Sequence, residues 1–268
     1  MKKVRPFLKW AGNKYHCLNY ILPSFPNTKR LIEPFTGSGA VFMNTNFSQY
    51  ILAEENHDLI TLFRFLQDEG TTFINYCELL FIEGNNQKAK YYHMRDVFNQ
   101  STEPRYRAAL FLYLNRHGYN GLCRYNSKGI YNVPFGLYKK PYFPRREMEL
   151  FHAKCNVVTF IQNDFRNTFD LAQKGDLIYC DPPYAPLGQV SNFSSYTSSK
   201  FGEAEQIALA TAAKEAAARG ISVIISNHDT ATTRQYYDGS KIISFPVSRF
   251  INSDITQRSP VRELIAIF

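Results

Sequence analysis

Glu33-Pro34-Phe35-Thr36-Gly37-Ser38-Gly39 is the stretch that decides the fold. A short apolar run at 30–32 leads into it and Ala40-Val41-Phe42-Met43 follows, the pattern of a strand passing through a glycine turn into a helix. Glycines at such a turn let the backbone approach a ligand closely, as in nucleotide-binding folds; a tight strand-to-helix connection would explain them equally well. The next apolar run, 50–53, ends at Glu54. A carboxylate at that strand end can accept hydrogen bonds from both ribose hydroxyls of a nucleoside cofactor, which tips the reading toward one.

Further strands are predicted at 157–161, 177–180, 221–225, 241–245 and 264–268, each closed by Gly, Pro or Asp or by the end of the sequence. The Ala-rich stretch 203–219, stopped by Gly220, is a helix between two of them. The middle differs: 58–66, 72–81, 89–98 and 105–114 have helical apolar spacing, and a Gly-, Tyr- and Asn-rich loop follows from 117 to 140. The expectation is an α/β protein with a doubly wound, mostly parallel Rossmann-like sheet. Residues 1–56 and 145–268 would form the sheet domain and 57–144 a helical insertion.

The 268 residues carry 31 basic and 23 acidic side chains, a formal net charge of +8. With 44% hydrophobic and 20% charged residues the chain is too apolar to be disordered. Apolar runs such as 108–114 fall far short of the ~18 residues of a membrane span. Met1-Lys2-Lys3-Val4-Arg5-Pro6 has no apolar signal core behind its charges, so membrane and secretory readings are set aside. Cys17, Cys77, Cys123, Cys155 and Cys180 are odd in number and scattered, which speaks for idle thiols in a reducing cytoplasm rather than disulfides or a metal site.

Where the charge lies matters more than its sum. From 104 to 146 there is no Asp or Glu, while Arg105, Arg107, Arg116, Arg124, Lys128, Lys139, Lys140, Arg145 and Arg146 contribute nine positive charges. The rest of the chain is close to neutral. Ten aromatics are interleaved, among them Tyr119, Tyr125, Tyr131, Phe135, Tyr138 and Tyr142. Cations for phosphates and flat rings for bases are what a nucleic-acid surface needs; a solvated basic face over an aromatic core is the plainer alternative.

Asp181-Pro182-Pro183-Tyr184 follows the predicted strand 177–180, at the edge where open sheets place ligands. Two prolines stiffen the turn and remove two N–H groups, leaving the Asp181 carboxylate and the Pro182 carbonyl as acceptors. Two neighbouring acceptors suit a substrate –NH2 group. Gripping both of its N–H bonds favours the tetrahedral geometry in which the nitrogen lone pair attacks. Tyr184 offers a face for a base to stack on. At the other end, Trp10 and Lys14 would close over the cofactor with Lys14 pairing its carboxylate, or else serve as an apolar anchor and a solvated lysine.

These pieces, in this order, resemble the Dam family of S-adenosylmethionine-dependent DNA adenine-N6 methyltransferases that modify GATC. The resemblance spans nearly the whole chain: KWAGNK at 9–14, EPFTGSG at 33–39, Glu54, NRHGYNGLCRYN at 115–126, NVPFGLYKKPYF at 132–143, DPPYAPL at 181–187 and SNHD at 226–229. It implies the class I methyltransferase type of sheet, with 57–144 as the target-recognition domain. S-adenosyl-L-methionine would be contacted by Trp10, Ala11, Lys14, Glu33, Phe35, Gly37, Gly39, Glu54, Asp164, Phe165 and Asp181, with Asp164 and Phe165 at its adenine. Asp181, Pro182 and Tyr184 would hold a flipped-out adenine and carry catalysis. Arg124 would read a guanine by a bidentate contact in the major groove. Tyr119, Asn120 and Leu122 would wedge the duplex, and Lys9 would lie at the outer base pair. Asn126, Asn132, Pro134, Tyr138 and Lys139 match further DNA contacts, mostly to phosphates. The partner is double-stranded DNA, with no metal and no membrane, and the enzyme is expected as a cytoplasmic, nucleoid-associated monomer.

The sequence departs from the family pattern in four places. Asn13 stands where Gly is usual, Glu54 where Asp is commoner, and Leu137 where a basic residue is frequent. Residues 252–260 lack a basic, glycine-rich loop. Asn tolerates left-handed backbone better than other non-glycine residues, so the turn at 13 should survive. His228 reads as structural, because a methylated amine loses its surplus proton without a strong base. Two other readings remain: methylation of another amine acceptor, such as RNA or a protein amide, and a DNA-binding homologue weak in catalysis.

Overall fold

The computed structural model describes residues 3–185, 201–247 and 261–268. Pro186 and Leu187 of the proline-tyrosine motif, and 252–260, lie outside the described residues. Seven strands form the sheet: β1 Arg30–Glu33, β2 Gln49–Glu54, β3 Val158–Gln162, β4 Leu177–Cys180, β5 Ser222–His228, β6 Lys241–Val247 and β7 Val261–Ile267. Their order is β3-β2-β1-β4-β5-β7-β6. β1 is parallel to β2 and to β4, and β4 to β5, whereas β7 runs antiparallel to both β5 and β6. This is the expected Rossmann-like sheet of the class I methyltransferase type. All four residues of β4 are buried, which is why that strand is an unbroken apolar run. The winding order reverses between β1 and β4, with β2 and β3 to one side and β5 to the other, and ligands of open sheets bind outside the carboxyl ends at such a point.

The helices are α1 Leu18–Ile21, α2 Ala40–Met43, α3 His57–Glu69, α4 Thr71–Glu78, α5 Lys88–Gln100, α6 Pro104–His117, α7 Arg145–Lys154, α8 Phe165–Phe169, α9 Glu203–Ala218 and α10 Ala231–Tyr236. Helices α3 to α6 and α9 lie where apolar spacing placed them. The sequence reading did not anticipate α7, because only Met148 and Phe151 of its ten residues are buried, too few to set a helical period. The short α1, α8 and α10 hold too few periodic positions to register.

The chain forms two compact units. One comprises Met1–Tyr15, Thr36–Asn46 and Glu54–Gln162, the other His16–Phe35, Phe47–Ala53 and Asn163–Phe268. The first thus takes up more than the 57–144 insertion. Its core gathers Phe7, Phe42, Phe63 and Phe160 around Phe151 of α7, with ring centroids 4.9 to 6.0 Å away. Burying Phe151 contributes about 2–3 kcal/mol, enough to hold an otherwise polar helix. Asp58, buried at the start of α3, accepts from Arg107 at 2.6 and 3.0 Å and from the Tyr125 hydroxyl at 2.5 Å. In the second unit Leu209, Ala210, Ala213 and Ala216 of α9 share a core cluster with Val223 and Ile225 of β5. All five cysteines are free thiols, four of them buried. No helix among the described residues is long and apolar enough to cross a membrane.

Candidate active site and nucleic-acid interface

In the first unit the glycine turn and the acidic strand end meet. Glu54, at the end of β2, accepts from the Gly37 N–H at 3.2 Å and from the Asn56 N–H at 3.5 Å. Burial pushes its carboxyl above the usual carboxylate range, and these backbone donors pull it partly back. Gly37 has φ +49°, and a Cβ there would stand 2.9 Å from Cδ1 and Nε1 of Trp10, so the indole lies against the bare Cα. Gly39 precedes α2 as its N-cap. Ala11 is exposed. Lys14 is only 5% exposed and its Nζ donates to the Gly12 carbonyl at 2.6 Å, which removes the solvated-lysine alternative. The expectation of left-handed backbone at Asn13 needs correcting: Gly12, at φ +75°, takes that conformation. Asn13 instead turns its side-chain oxygen back to the Tyr15 N–H at 2.8 Å. A ring beside a glycine, a carboxylate that can take two hydroxyl donors and a buried cation together fit a nucleoside bearing an amino-acid tail.

In the second unit, Asp181-Pro182-Pro183-Tyr184 leaves the carboxyl end of β4 and is held from several sides. Gln206 of α9 donates to the Pro183 carbonyl at 2.7 Å. The Ala185 N–H donates to Asn227 Oδ1 at 3.1 Å, and His228 Nδ1 lies 2.7 Å from the Ala185 carbonyl. That carbonyl can only accept, so Nδ1 carries a proton. Asn227 also donates to Gln206 Oε1 and to the Tyr237 hydroxyl, at 3.0 and 2.9 Å. The Tyr184 hydroxyl donates to Glu263 at 3.0 Å and its ring meets His228 edge to face at 4.8 Å. Below the turn, the buried Tyr179 and Ser226 hydroxyls pair at 2.7 Å. Glu33 is buried at the end of β1. Phe35 stacks on Phe165 at 5.7 Å, bringing together two of the expected cofactor residues. Phe165 is buried in the core, while the half-buried Asp164 caps α8 through the Arg166 N–H at 2.7 Å and pairs with the Arg166 guanidinium at 3.1 Å.

The basic stretch divides in two, and the plainer reading holds for part of it. Arg105 pairs with Glu69, Arg107 with Asp58, and Arg145 with Glu78 and Glu149, so these three charges serve the fold. Arg116 donates to the carbonyls of Tyr142 and Phe7. Arg124, Lys128, Lys139, Lys140 and Arg146 are exposed. Phe111, Tyr113 and Tyr131 are core residues, whereas Tyr119 is 50% and Tyr142 55% exposed.

The loop after α6 is built to present side chains. Gly118 bridges to Phe135 and Tyr125 to Tyr131 in antiparallel fashion. The Tyr119 N–H donates to the Pro134 carbonyl at 2.8 Å, with Pro134 exposed. Tyr119 and Asn120 project at its tip, Asn120 at φ +52°, and Leu122 is half-buried. Arg124 does not stand alone: its Nε donates to Asn132 Oδ1 at 2.7 Å and its Nη2 to the Asn132 carbonyl at 3.3 Å. Asn132, expected at a phosphate, therefore orients the guanidinium. Asn126 is exposed, and its Oδ1 accepts from the N–H groups of Lys128 and Ile130. The Lys9 ammonium lies 3.6 Å above the Tyr138 ring. The Tyr138 and Lys139 carbonyls both accept from Asn86.

Four residues to which the sequence reading gave no role matter here, two of them, Asn115 and Asn227, inside motifs that carry the resemblance. Asn115 of α6 donates to and accepts from the Lys9 backbone at 2.7 and 3.0 Å and donates to the Gly121 carbonyl, locking Lys9 to the loop. An Asn inside an apolar helix, at the head of the 115–126 motif, is the signal that could have found it. Gln206, Asn227 and Glu263 hold the proline turn from elements remote in sequence; the SNHD motif marks Asn227, and nothing in the local sequence of the other two points to that.

A sequence profile described as D12 class N6 adenine-specific DNA methyltransferase matches residues 10–249. The chain is 48% identical to a DNA adenine methylase of Vibrio cholerae over 100% of this chain and 97% of that one. It is 50% identical to one from Haemophilus influenzae, covering 99% and 94%. A third, from Escherichia coli K12, is 45% identical over 100% and 96%.

Proposed function

Because the chain belongs to the D12 class N6 adenine-specific DNA methyltransferases, and is itself an adenine-specific DNA methyltransferase, we propose that it acts on GATC in duplex DNA, on an adenine swung out of the helix, with S-adenosylmethionine as methyl donor. The observation that carries this reading is the clamped Asp181-Pro182-Pro183-Tyr184 turn at the carboxyl end of β4. The bound donor supplies a sulfonium methyl, a group with an excellent leaving group already attached. Everything else falls to the protein: exclusion of water, orientation and acceptors for the amine.

Asp181 and the Pro182 carbonyl take the two N–H bonds of the adenine amine, and Tyr184 carries the base on its ring. Trp10, Ala11, Lys14, Glu33, Phe35, Gly37, Gly39, Glu54, Asp164, Phe165 and Asp181 are the residues assigned to the donor. Asp164 contributes by shaping α8, since its carboxylate is engaged as a cap. Residues 57–144 are the target-recognition part. Tyr119, Asn120 and Leu122 fill the space the base vacates, at a flipping cost of a few kcal/mol that phosphate contacts offset. Arg124, held by Asn132, reads guanine.

The test is transfer of tritiated methyl from S-adenosylmethionine to duplexes containing GATC, each single-base variant, or no adenine. Methylation confined to GATC is the expected result. Equal transfer to the variants would overturn the recognition assignment and keep the activity.

Lys9 adds a pH dependence. Burial, and then the nearby Arg116, lower its pKa to about 8. DNA favours the charged ammonium, so binding draws in a proton above that pH. Affinity should be flat below about pH 8 and fall by up to tenfold per unit above it until the bound-state pKa is reached. Anisotropy titrations against a labelled duplex between about pH 7 and pH 9.5 check this, and Lys9→Gln should flatten the profile.

A further inference from the structure

We propose that Glu263 is a positioning residue for the methyl acceptor: it holds the Tyr184 hydroxyl and so sets the angle of the ring on which the adenine stacks. This rests on reading Asp181-Pro182-Pro183-Tyr184 as the acceptor turn.

The sheet topology explains why this residue is in place. A parallel strand delivers its last residues to the carboxyl edge, but β7 runs antiparallel to β5 and delivers its first ones. Glu263 pairs directly with His228 across β5 and β7, and residues opposed in an antiparallel pair share a face. Both side chains therefore reach the same ring. His228 meets it edge to face at 4.8 Å and Glu263 takes its hydroxyl at 3.0 Å. The backbone around the ring is fixed independently by Gln206 at Pro183 and by Asn227 and His228 at Ala185. With both backbone flanks held, the hydroxyl contact is what restrains ring tilt at the far end of the side chain.

A carboxylate does more than hold. A phenol donating to an anion makes a charge-assisted bond and its ring becomes richer in electrons. An electron-rich face favours a cation above it. The adenine is cationic from the moment N6 gains its methyl until it releases its surplus proton to solvent. The contact is therefore stronger after the N–C bond begins to form than before, which accelerates transfer rather than merely tightening binding. Burial, together with the Asp181 and Glu263 carboxylates, drives the Tyr184 pKa far upward, so the hydroxyl keeps the proton it donates.

Single-turnover methyl transfer to a GATC duplex tests this in four variants: Glu263→Gln, Glu263→Ala, Tyr184→Phe and Tyr184→Phe/Glu263→Ala. Glu263→Ala should slow transfer about tenfold with donor affinity unchanged, and Glu263→Gln, which keeps an acceptor, should recover to within about threefold of wild type. Tyr184→Phe should match Glu263→Ala, and the double variant should be no slower than either single one. A duplex with 2-aminopurine at the target base should show altered stacking emission in Glu263→Ala and near-native emission in Glu263→Gln. Wild-type rates in Glu263→Ala, or effects that multiply in the double variant, would overturn the inference. If Glu263→Ala does not fold, Tyr184→Phe decides, since it removes a single oxygen: a wild-type rate overturns the inference, and slow transfer with unchanged KM supports it. A wild-type protein that transfers no methyl to any duplex would overturn the acceptor-turn reading and this inference with it. Active wild type beside an indifferent Glu263→Ala would overturn the inference alone.

Discussion

Asp181→Ala should lower single-turnover methyl transfer to duplex DNA by at least about 10³-fold while leaving donor and DNA affinity within a few-fold of wild type. The adenine amine is a poor nucleophile because its lone pair is shared with the ring. Two acceptors that grip its N–H bonds recover the lone pair, and Asp181 is the charged one of the two. The prolines supply no N–H that could compensate. Asp181→Asn should also fail by about 10²-fold or more, because the amide NH2 opposes an N–H where an acceptor is needed. The fold should tolerate both changes: Asp181 is half-buried and stands one residue beyond the Leu177–Cys180 strand, outside its apolar packing. Rapid-quench transfer, donor titration and duplex anisotropy on the same preparations separate chemistry from binding. A rate within tenfold of wild type would remove Asp181 from the reacting centre.

The sheet was legible because its strands are short apolar runs that end in turn chemistry, and β4 shows this most plainly. All four of its residues are buried and a proline turn follows at once. Helix α7 was not legible, since one aromatic in a charged decapeptide carries its packing and periodicity needs more than two buried positions. The site divides the same way. Gly37, Glu54, Asp181 and Tyr184 stood out as candidates because a glycine turn, an acidic strand end and a double proline each follow a short apolar run. Gln206 and Glu263 were hidden: each is an ordinary polar residue whose meaning comes from strand register and helix placement. Charge counting misled in one respect. It treated Arg105, Arg107 and Arg145 as available to phosphates, whereas Glu69, Asp58 and Glu78 are reached only through helix packing that sequence distance conceals. Asn13 shows the reverse error, in which the strained backbone was expected one residue too late because Gly12 had already taken it.

Gly37→Ala should weaken donor binding by about 100-fold, and the reason is more local than general loop strain. At φ +49° an added Cβ costs on the order of 1–2 kcal/mol by itself. The larger effect comes from where that Cβ would stand, 2.9 Å from two atoms of the Trp10 indole, well inside contact distance. Trp10 must move, and with it the surface that closes over the nucleoside. The same residue's N–H holds Glu54 at 3.2 Å, so a tilted peptide also disturbs the carboxylate proposed to take the ribose hydroxyls. Gly175 provides the control: its φ is +91° and a Cβ there meets nothing within 4 Å, so Gly175→Ala adds backbone strain without a collision. Trp10 is the chain's only tryptophan and reports on its own displacement. Titrating S-adenosylmethionine against intrinsic fluorescence should give a shifted emission and a weak binding curve for Gly37→Ala, and a near-native curve for Gly175→Ala. Equal weakening in both variants would assign the loss to strain and release Trp10 from the donor site. Unchanged affinity in Gly37→Ala would show that the bare Cα is needed for the turn and for nothing bound beside it.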